Sequence, residues 1–233
     1  MPLRSADIDA LDWERIAAEL DTYGVGRTGR LLSDEDCDEV AAFYEKDRFR
    51  SRVVMARHGF GSGEYKYFAA PLPRQVATLR EAVYPHAAAI ANRWAARLGT
   101  PTFPETLHGM LERCHAAGQE KPTPLLLKYG EGDYNCLHQD LYGEVAFPLQ
   151  LVVLLTDPAE FEGGELVLTE QRPRMQSRAE VVPLKRGEGA LFTTSIRPKA
   201  GSKGDYRVNM RHGVSRLRSG ERMTLGVIFH DAA

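Results

Sequence analysis

Residues 148–170 read PLQLVVLLTDPAEFEGGELVLTE and contain two short runs, PLQLVVLLTD and GELVLTE, with turn-forming residues between them. Asp, Pro and Gly favour turn conformations, so they mark the end of the first run and the start of the second. Apolar or alternating runs of this length between turns are typical of β-strands. The stretch therefore predicts two consecutive strands.

The same pattern continues from Pro124 to the end of the chain. Seven or more strands at this spacing favour a double sheet or jelly roll. The further runs are TPLLLKYG, AEVVPLK, GALFTT, RVNMRHGV and RMTLGVIFH.

The first 120 residues are mostly helical in pattern. DIDALDWERIAAEL has apolar residues at helical spacing, and Ser33 is placed to cap a second helix. A third helix is expected over residues 73–98, kinked or split at Pro85, and a fourth in PETLHGMLERCHAAGQ. Residues 48–73 are expected to hold at most one short strand.

These patterns predict an α+β fold with a double-stranded β-helix (jelly-roll) core and an N-terminal helical layer. We expect one domain over residues 1–233, in which residues 1–123 form a mainly helical support and a lid, and residues 124–233 form the jelly roll. A length of 233 residues and a hydrophobic content of 43% are sufficient for a sizeable core.

Composition limits the location and partners of the protein. No run of 18 apolar residues occurs, and the acidic, amphipathic N-terminus lacks the features of a secretion signal, so we predict a cytoplasmic protein without a membrane partner. The three cysteines lack C-x-x-C spacing, which supports neither a disulfide framework nor a structural zinc site. No obligate protein partner is indicated.

Charge is unevenly distributed although the net charge is only −2. Residues 1–47 hold 13 acidic residues and 5 Lys or Arg, whereas residues 171–222 hold 13 Lys or Arg and 4 acidic residues. The basic region fits an anionic partner such as nucleic acid. A solvated surface offset by the acidic N-terminal part explains the same pattern.

His138 and Asp140 lie two residues apart in KYGEGDYNCLHQDLYGE, and on a strand such residues point to the same face. His212 follows 72 residues after Asp140 in a late strand, which a jelly roll can place opposite the early one. Two histidines and one carboxylate leave three positions of an octahedral ion open, which suits Fe(II) with a bidentate cosubstrate and dioxygen. Arg222, ten residues beyond His212, is placed to bind a carboxylate in a bidentate manner, or is an ordinary arginine at a strand edge.

The order of these features resembles the Fe(II)/2-oxoglutarate-dependent dioxygenases, and most closely the prolyl 4-hydroxylase branch. The resemblance implies that His138, Asp140 and His212 are iron ligands, with Arg222 on the distal carboxylate of 2-oxoglutarate and Tyr129 hydrogen-bonded to the same cosubstrate. The resemblance covers roughly the last 110 residues. The matching segments are LLLKYGEGDYNCLHQD, LQLVVLLTDPAEFEGGELVL, LKRGEGALFTT and MRHGVSRLRSGERMTLGVIFHD.

GSGEYKYF, HQDLYGEVAFPLQ and RHGVSRLRSGER also resemble a bacterial group described as oxygenases for the oxidative demethylation of damaged nucleic acid. This implies a DNA-repair role and a substrate of alkylated DNA or RNA bases. The stretch from Arg48 to Phe68 agrees with it, because cations hold phosphates and aromatic rings stack on an extruded base. The candidate substrate-binding residues are Arg50, Arg52, Tyr65 and Tyr67. Packing of the aromatic residues between helices and sheet is the alternative.

One departure separates this chain from the classical alkylated-DNA-repair oxygenases. RLRSGER, residues 216–222, has an arginine where their motif has an asparagine, and the spacing of Arg222 is that of prolyl hydroxylases. A prolyl, peptidyl or small-molecule hydroxylase with the same iron site remains an alternative. A metal-binding jelly-roll module without enzymatic activity is another.

Overall fold

The computed structural model describes residues 4–140, 143–202 and 204–233. Its helices are α1 (Ser5–Asp9), α2 (Trp13–Tyr23), α3 (Asp34–Ala42), α4 (Arg74–Leu98) and α5 (Leu107–Ala116). Its strands are β1 (Val25–Arg30), β2 (Phe49–Val54), β3 (Gly61–Ser62), β4 (Glu64–Phe68), β5 (Leu125–Tyr129), β6 (Tyr134–His138), β7 (Leu149–Leu154), β8 (Phe161–Gly163), β9 (Leu166–Gln171), β10 (Arg178–Val182), β11 (Glu188–Thr193), β12 (Ile196–Gly201), β13 (Gly204–Val214), β14 (Leu217–Gly220) and β15 (Arg222–Ile228).

The larger sheet, here the main sheet, has the antiparallel order β1-β11-β7-β15-β5-β4-β2 among the described residues. Both of its faces are covered. Alternate residues of β7, such as Leu151 and Val153, pack with apolar residues of α2 and α4, including Leu20 and Leu79. This double burial explains why β7 is apolar at almost every position.

The second sheet has the order β10-β9-β13-β6-β3 in the described part of the chain, and β12 also pairs with β13. It faces the other side of the main sheet. Val152 and Phe192 of the main sheet pack there against Leu168, Val208 and Met210 of the second sheet. The space between the two sheets is called the sandwich interior below, and the opposite face of the main sheet is called its helical face. The predicted jelly-roll core with an N-terminal helical layer is confirmed.

Local expectations for the first 120 residues are partly confirmed. Ser33 caps α3 in a capping box with Asp36, as its position predicted. Pro85 was expected to kink or split the third helix, and the split is wrong, since α4 runs unbroken from Arg74 to Leu98. Among the described residues, no helix combines the length and apolar character needed to cross a membrane.

The expectation of at most one strand in residues 48–73 is also wrong. β2, β3 and β4 lie in this segment, and β4 pairs with β5 while β3 pairs with β6. The segment thus passes from the main sheet to the second sheet and back. Charged and aromatic residues alternate here, which hides the apolar periodicity by which a strand is usually recognised.

Candidate active site

Three predicted ligands meet in the sandwich interior. His138 ends β6 and lies directly opposite His212 of β13 in the strand register. The Nε2 atoms of His138 and His212 lie 3.4 and 3.3 Å from the two carboxylate oxygens of Asp140. One ligand atom from each of the three residues lies within 4.8 Å of the others. This spacing is suited to a single bound metal ion.

Neighbouring groups orient these side chains. Nδ1 of His138 lies 2.8 Å from the carbonyl oxygen of Cys136, which leaves Nε2 on the side of Asp140. Gln150 donates a hydrogen bond of 2.7 Å to Oδ2 of Asp140. The sequence analysis missed Gln150, although a lone polar residue within the apolar run of β7 was a usable signal.

The charge states of Asp140 and His212 suit a divalent cation, whereas at His138 the lowering of the pKa by burial is outweighed by the interaction with Asp140, which raises the pKa. Burial alone would raise the pKa of Asp140, but hydrogen bonds and charge interactions with His138 and His212 outweigh it and hold the pKa well below its usual value. Burial lowers the pKa of His212 and favours the neutral imidazole. An ionised carboxylate and a neutral imidazole are the forms that bind metals.

Arg222 and Tyr129 form a second polar pair in the sandwich interior. They are cross-strand neighbours on β15 and β5, and both side chains are buried. Cζ of Arg222 lies 5.9 Å from the centre of the Tyr129 ring. Burial lowers the pKa of Arg222 to about 10, so the guanidinium is still charged at neutral pH.

Two polar atoms of this pair have no hydrogen-bond partner among the described residues. They are Nη1 of Arg222 and the hydroxyl of Tyr129, and Asn135 lies near that hydroxyl without reaching hydrogen-bond geometry. Buried polar groups are nearly always paired, so two orphans side by side mark a place for an acceptor. A carboxylate is the acceptor that an arginine binds most strongly.

Gly164 provides the space for this arginine. A Cβ atom at Gly164 would lie 2.8 Å from Cδ of Arg222 and 2.8 Å from Cδ1 of Leu217. The residue also has a φ of +67°, which favours glycine. The second glycine of the Gly163–Gly164 pair therefore has a packing role beside the candidate site.

Three of the four candidate substrate-binding residues lie on the interior face of the main sheet. Tyr65 is the cross-strand neighbour of Leu127 and packs near Tyr129. The rings of Tyr65 and Tyr67 meet edge to face, 5.4 Å apart. Cζ of Arg50 lies 4.5 Å from the centre of the Tyr67 ring. Substrate binding by these residues stays a prediction.

Arg52, the fourth candidate, does not lie on the interior face of the main sheet. It pairs with Glu64, which lies on the helical face of the main sheet together with Lys66 and Phe68. A bulge between Phe49 and Ser51 puts Arg50 on the face of Tyr67, so that Arg50 and Arg52 lie on opposite faces although they are two residues apart.

Comparisons with known proteins give the family. The model of an oxygenase family, described as catalysing oxidative methylation of damaged DNA, matches residues 63–232. Uncharacterized proteins from two strains of Mycobacterium tuberculosis are each 51% identical over 168 residues, which is 71% of this chain and 72% of the relative.

Solved structures agree on the fold. A prolyl-4-hydroxylase from Pseudomonas putida has a TM-score of 0.54 at 14% identity and covers 95% of this chain and 99% of its own. An oxidoreductase of the 2-oxoglutarate/Fe(II) oxygenase family from Burkholderia pseudomallei has a TM-score of 0.55 at 15% identity, with 95% and 92% covered. A prolyl hydroxylase from Trichoplax adhaerens, in complex with a peptide, has a TM-score of 0.56 at 14% identity, with 92% and 86% covered.

The family model defines an oxygenase, and His138, Asp140 and His212 give it a candidate metal centre on the fold of the 2-oxoglutarate/Fe(II) oxygenase and prolyl hydroxylase structures compared above. Among oxygenases, the chain belongs to the family described as catalysing oxidative methylation of damaged DNA.

Proposed function

We propose that this protein hydroxylates methyl groups on alkylated DNA bases, with Fe(II) held by His138, Asp140 and His212. In this proposal, 2-oxoglutarate places its distal carboxylate between Arg222 and Tyr129. The observation that carries the assignment is the pair of buried donors on these two residues, which have no hydrogen-bond partner in the described part of the chain, beside a cluster of three metal-binding groups.

In this proposal, the residues of the chain bind the metal ion and the cosubstrate and hold them in position. Gln150 holds Asp140 in place, and Cys136 fixes which nitrogen of His138 is available. Arg222 neutralises the carboxylate in a buried position, where a charge-assisted bond is strong. When bound, Fe(II) with 2-oxoglutarate activates dioxygen for insertion of oxygen into a C–H bond.

The reaction balances without another reductant. One oxygen atom of O2 enters the methyl C–H bond, the other enters succinate, and 2-oxoglutarate loses CO2. The resulting hydroxymethyl group on a ring nitrogen leaves as formaldehyde, and its hydroxyl proton returns to that nitrogen. An oxygenase of this type therefore removes methyl groups.

The assignment of DNA as substrate rests on the family description and on the surface beside the site. Arg50, Tyr65 and Tyr67 put a cation and two rings on the face that carries Tyr129. Rings of this kind stack on a base taken out of the duplex, and cations bind the phosphates of the strand that carries the base.

The test compares substrates with the iron-loaded full chain. We expect formaldehyde and succinate in equal amounts from single-stranded oligonucleotides that carry one methylated base, and no succinate above background from proline-containing peptides. Asp140→Ala should abolish both products, whereas Asp47→Ala, which removes an exposed carboxylate in the turn before β2, should abolish neither.

Two outcomes would contradict the proposal. Turnover of the peptides alone would favour a peptidyl hydroxylase. A melting temperature that 2-oxoglutarate fails to raise in the presence of Mn(II) would favour a metal-binding module, since a ligand that binds the folded state stabilises it. Arg222→Ala should remove the shift that we expect in the parent protein.

A cytoplasmic location is also part of the proposal. Cys37 and Cys114 are buried free thiols, and Cys136 is an exposed one. Free thiols of this kind are typical of reducing compartments.

A further inference from the structure

A group of cations surrounds one buried carboxylate at the end of the second sheet. Glu170, near the end of β9, has a side chain only 3% exposed. Arg172, Arg178 and Lys199 approach this carboxylate from the surface. These three residues are called the basic cluster below.

Glu170 already has a partner that accounts for its charge. The side chain of Arg197 is fully buried, forms an ion pair with Glu170 and donates to the carbonyl oxygens of Asp21 and Thr22 at the end of α2. Arg172 also donates a hydrogen bond of 2.5 Å to Glu170, whereas Arg178 and Lys199 stand farther off, 3.6 and 3.7 Å from the carboxylate oxygens. The basic cluster is therefore a surplus of three cations beside a pair that is neutral as a whole.

The side chains of the basic cluster are also accessible. Those of Arg172, Arg178 and Lys199 are 27%, 44% and 21% exposed. Burial, followed by repulsion from Arg197, Arg172 and Arg178, lowers the pKa of Lys199 to about 8. Cations that repel one another in this way gain stability when an anion binds between them.

The strand register places Glu170, the carboxylate that the basic cluster surrounds, two residues along the sheet from the candidate active site. Glu170 is the direct neighbour of Met210 on β13, and Leu168 is the direct neighbour of His212. Two residues of a strand span about 7 Å. The carboxylate at the centre of the cluster is thus one step along the same face from an iron-binding candidate.

Hydrogen bonds of Gln139 also link the candidate active site to the strands around the basic cluster. Gln139, between His138 and Asp140, donates to the carbonyl oxygens of Ser195 and Met210. Ser195 directly precedes β12, which carries Lys199, and Met210 of β13 is the direct neighbour of Glu170. Tyr23, whose ring lies 5.8 Å from Cζ of Arg178, is 42% exposed at the edge of the cluster.

We propose that the basic cluster binds consecutive phosphates of the DNA strand whose modified base enters the iron site. This inference rests on the proposed function and extends it by naming where the backbone of the substrate is held. Each strand of duplex DNA carries one phosphate per about 3.4 Å of helix axis, so a nucleotide in the site brings its neighbours within range of the cluster.

The test measures DNA binding separately from turnover. Anisotropy of a labelled, unmodified single-stranded oligonucleotide is recorded against KCl for the full chain and for Arg172→Gln/Lys199→Gln. Each phosphate contact contributes a slope of about −0.7 to the logarithm of affinity against the logarithm of salt. We expect the double variant to bind about tenfold more weakly and to lose about 1.4 of the slope. Arg178→Gln should lose about 0.7.

Controls separate this role from folding and from general charge. Arg113→Gln removes one exposed positive charge on α5, as Arg178→Gln does at the cluster, and should leave the slope unchanged. The double variant should keep the rise in melting temperature caused by Mn(II) with 2-oxoglutarate. If the double variant loses that rise, its fold is disturbed, and the salt slope of Arg178→Gln alone then tests the proposal. For methylated oligonucleotides, KM should rise in the cluster variants with kcat unchanged, while a free methylated nucleoside should show no change.

The outcomes distinguish this inference from the proposed function. A salt slope in the cluster variants equal to that of the parent, or a parent protein that does not bind DNA, overturns the inference. A parent protein that binds DNA but releases no formaldehyde overturns the proposed function alone, and the slope of the variants still decides the role of the cluster.

Discussion

At the scale of single residues, Gly164 determines whether Arg222 can take its position. The backbone at Gly164 has a φ of +67°, and the space next to its Cα is filled by Arg222 and Leu217. Backbone strain and crowding therefore coincide at one residue. A comparison glycine can separate the two effects, because Gly99 has a φ of +63° and open space around it.

We expect Gly164→Ala to weaken 2-oxoglutarate binding about tenfold, which is about 1.4 kcal/mol, because the added methyl group displaces the guanidinium. Gly99→Ala carries a similar backbone strain of about 1–2 kcal/mol and should lower only the melting temperature. Calorimetric titration of 2-oxoglutarate with Mn(II) present measures the difference. Equal affinities in the two variants would show that Gly164 does not position Arg222.

The sequence patterns pointed to the three candidate metal ligands, whereas the residues that support them were not predicted. His138 and Asp140 share a face because strands alternate, and His212 could be matched to them because a jelly roll faces early strands with late ones. Gln150 and the ion pair of Glu170 with Arg197 depend on contacts between distant strands. No local periodicity encodes such contacts, so the sequence could at most mark Gln150 as an unusual polar residue in β7 and could not name the group that it contacts.

At the scale of elements, the β-bulge in β2 decides which arginine faces the interior. Alternation alone would put Arg50 and Arg52 on one face, and the sequence analysis treated them as equivalent. The extra residue between Phe49 and Ser51 breaks this equivalence. Bulges of this kind have no dependable sequence signal here, and the surrounding charged residues also concealed β2 and β4 as strands.

We therefore expect the two arginines to differ in DNA binding. Arg50→Gln should weaken binding of a single-stranded oligonucleotide and reduce the salt slope by about 0.7, because it loses one phosphate contact on the face of the site. Arg52→Gln should leave both unchanged, because that side chain is paired with Glu64 on the helical face. Anisotropy titrations across KCl concentrations provide the measurement. The reverse order of effects would place the DNA on the other face of the sheet.

At the scale of the whole molecule, one buried ion pair joins the helical layer to the end of the main sheet. Arg80 of α4 donates to Asp231 at 2.8 Å and to the carbonyl oxygens of Ile228 and His230. Its side chain is 4% exposed, and that of Asp231 is 6% exposed. The prediction that helices pack against the jelly roll was available from the sequence, but the residues that attach them were not, because they lie 151 positions apart.

Arg80→Met should destabilise the protein by about 3–5 kcal/mol, because the buried carboxylate of Asp231 loses its guanidinium partner and keeps a longer contact of 3.3 Å with the exposed imidazole of His115. Arg97→Gln removes a pair with Asp205 that is 30% and 25% exposed, and should cost less than about 1 kcal/mol. Urea unfolding followed by circular dichroism compares the two variants. Similar midpoints would mean that the buried pair does not attach the helical layer.

The position of β1 has a consequence for the synthesis of the protein. Val25 on β1 pairs with Phe192 on β11, so an early segment at the edge of the main sheet takes its partner from a late one. Ribosomes add about 5–20 residues per second, and β1 therefore remains unpaired for on the order of ten seconds. The nascent chain must stay free of self-association through that interval.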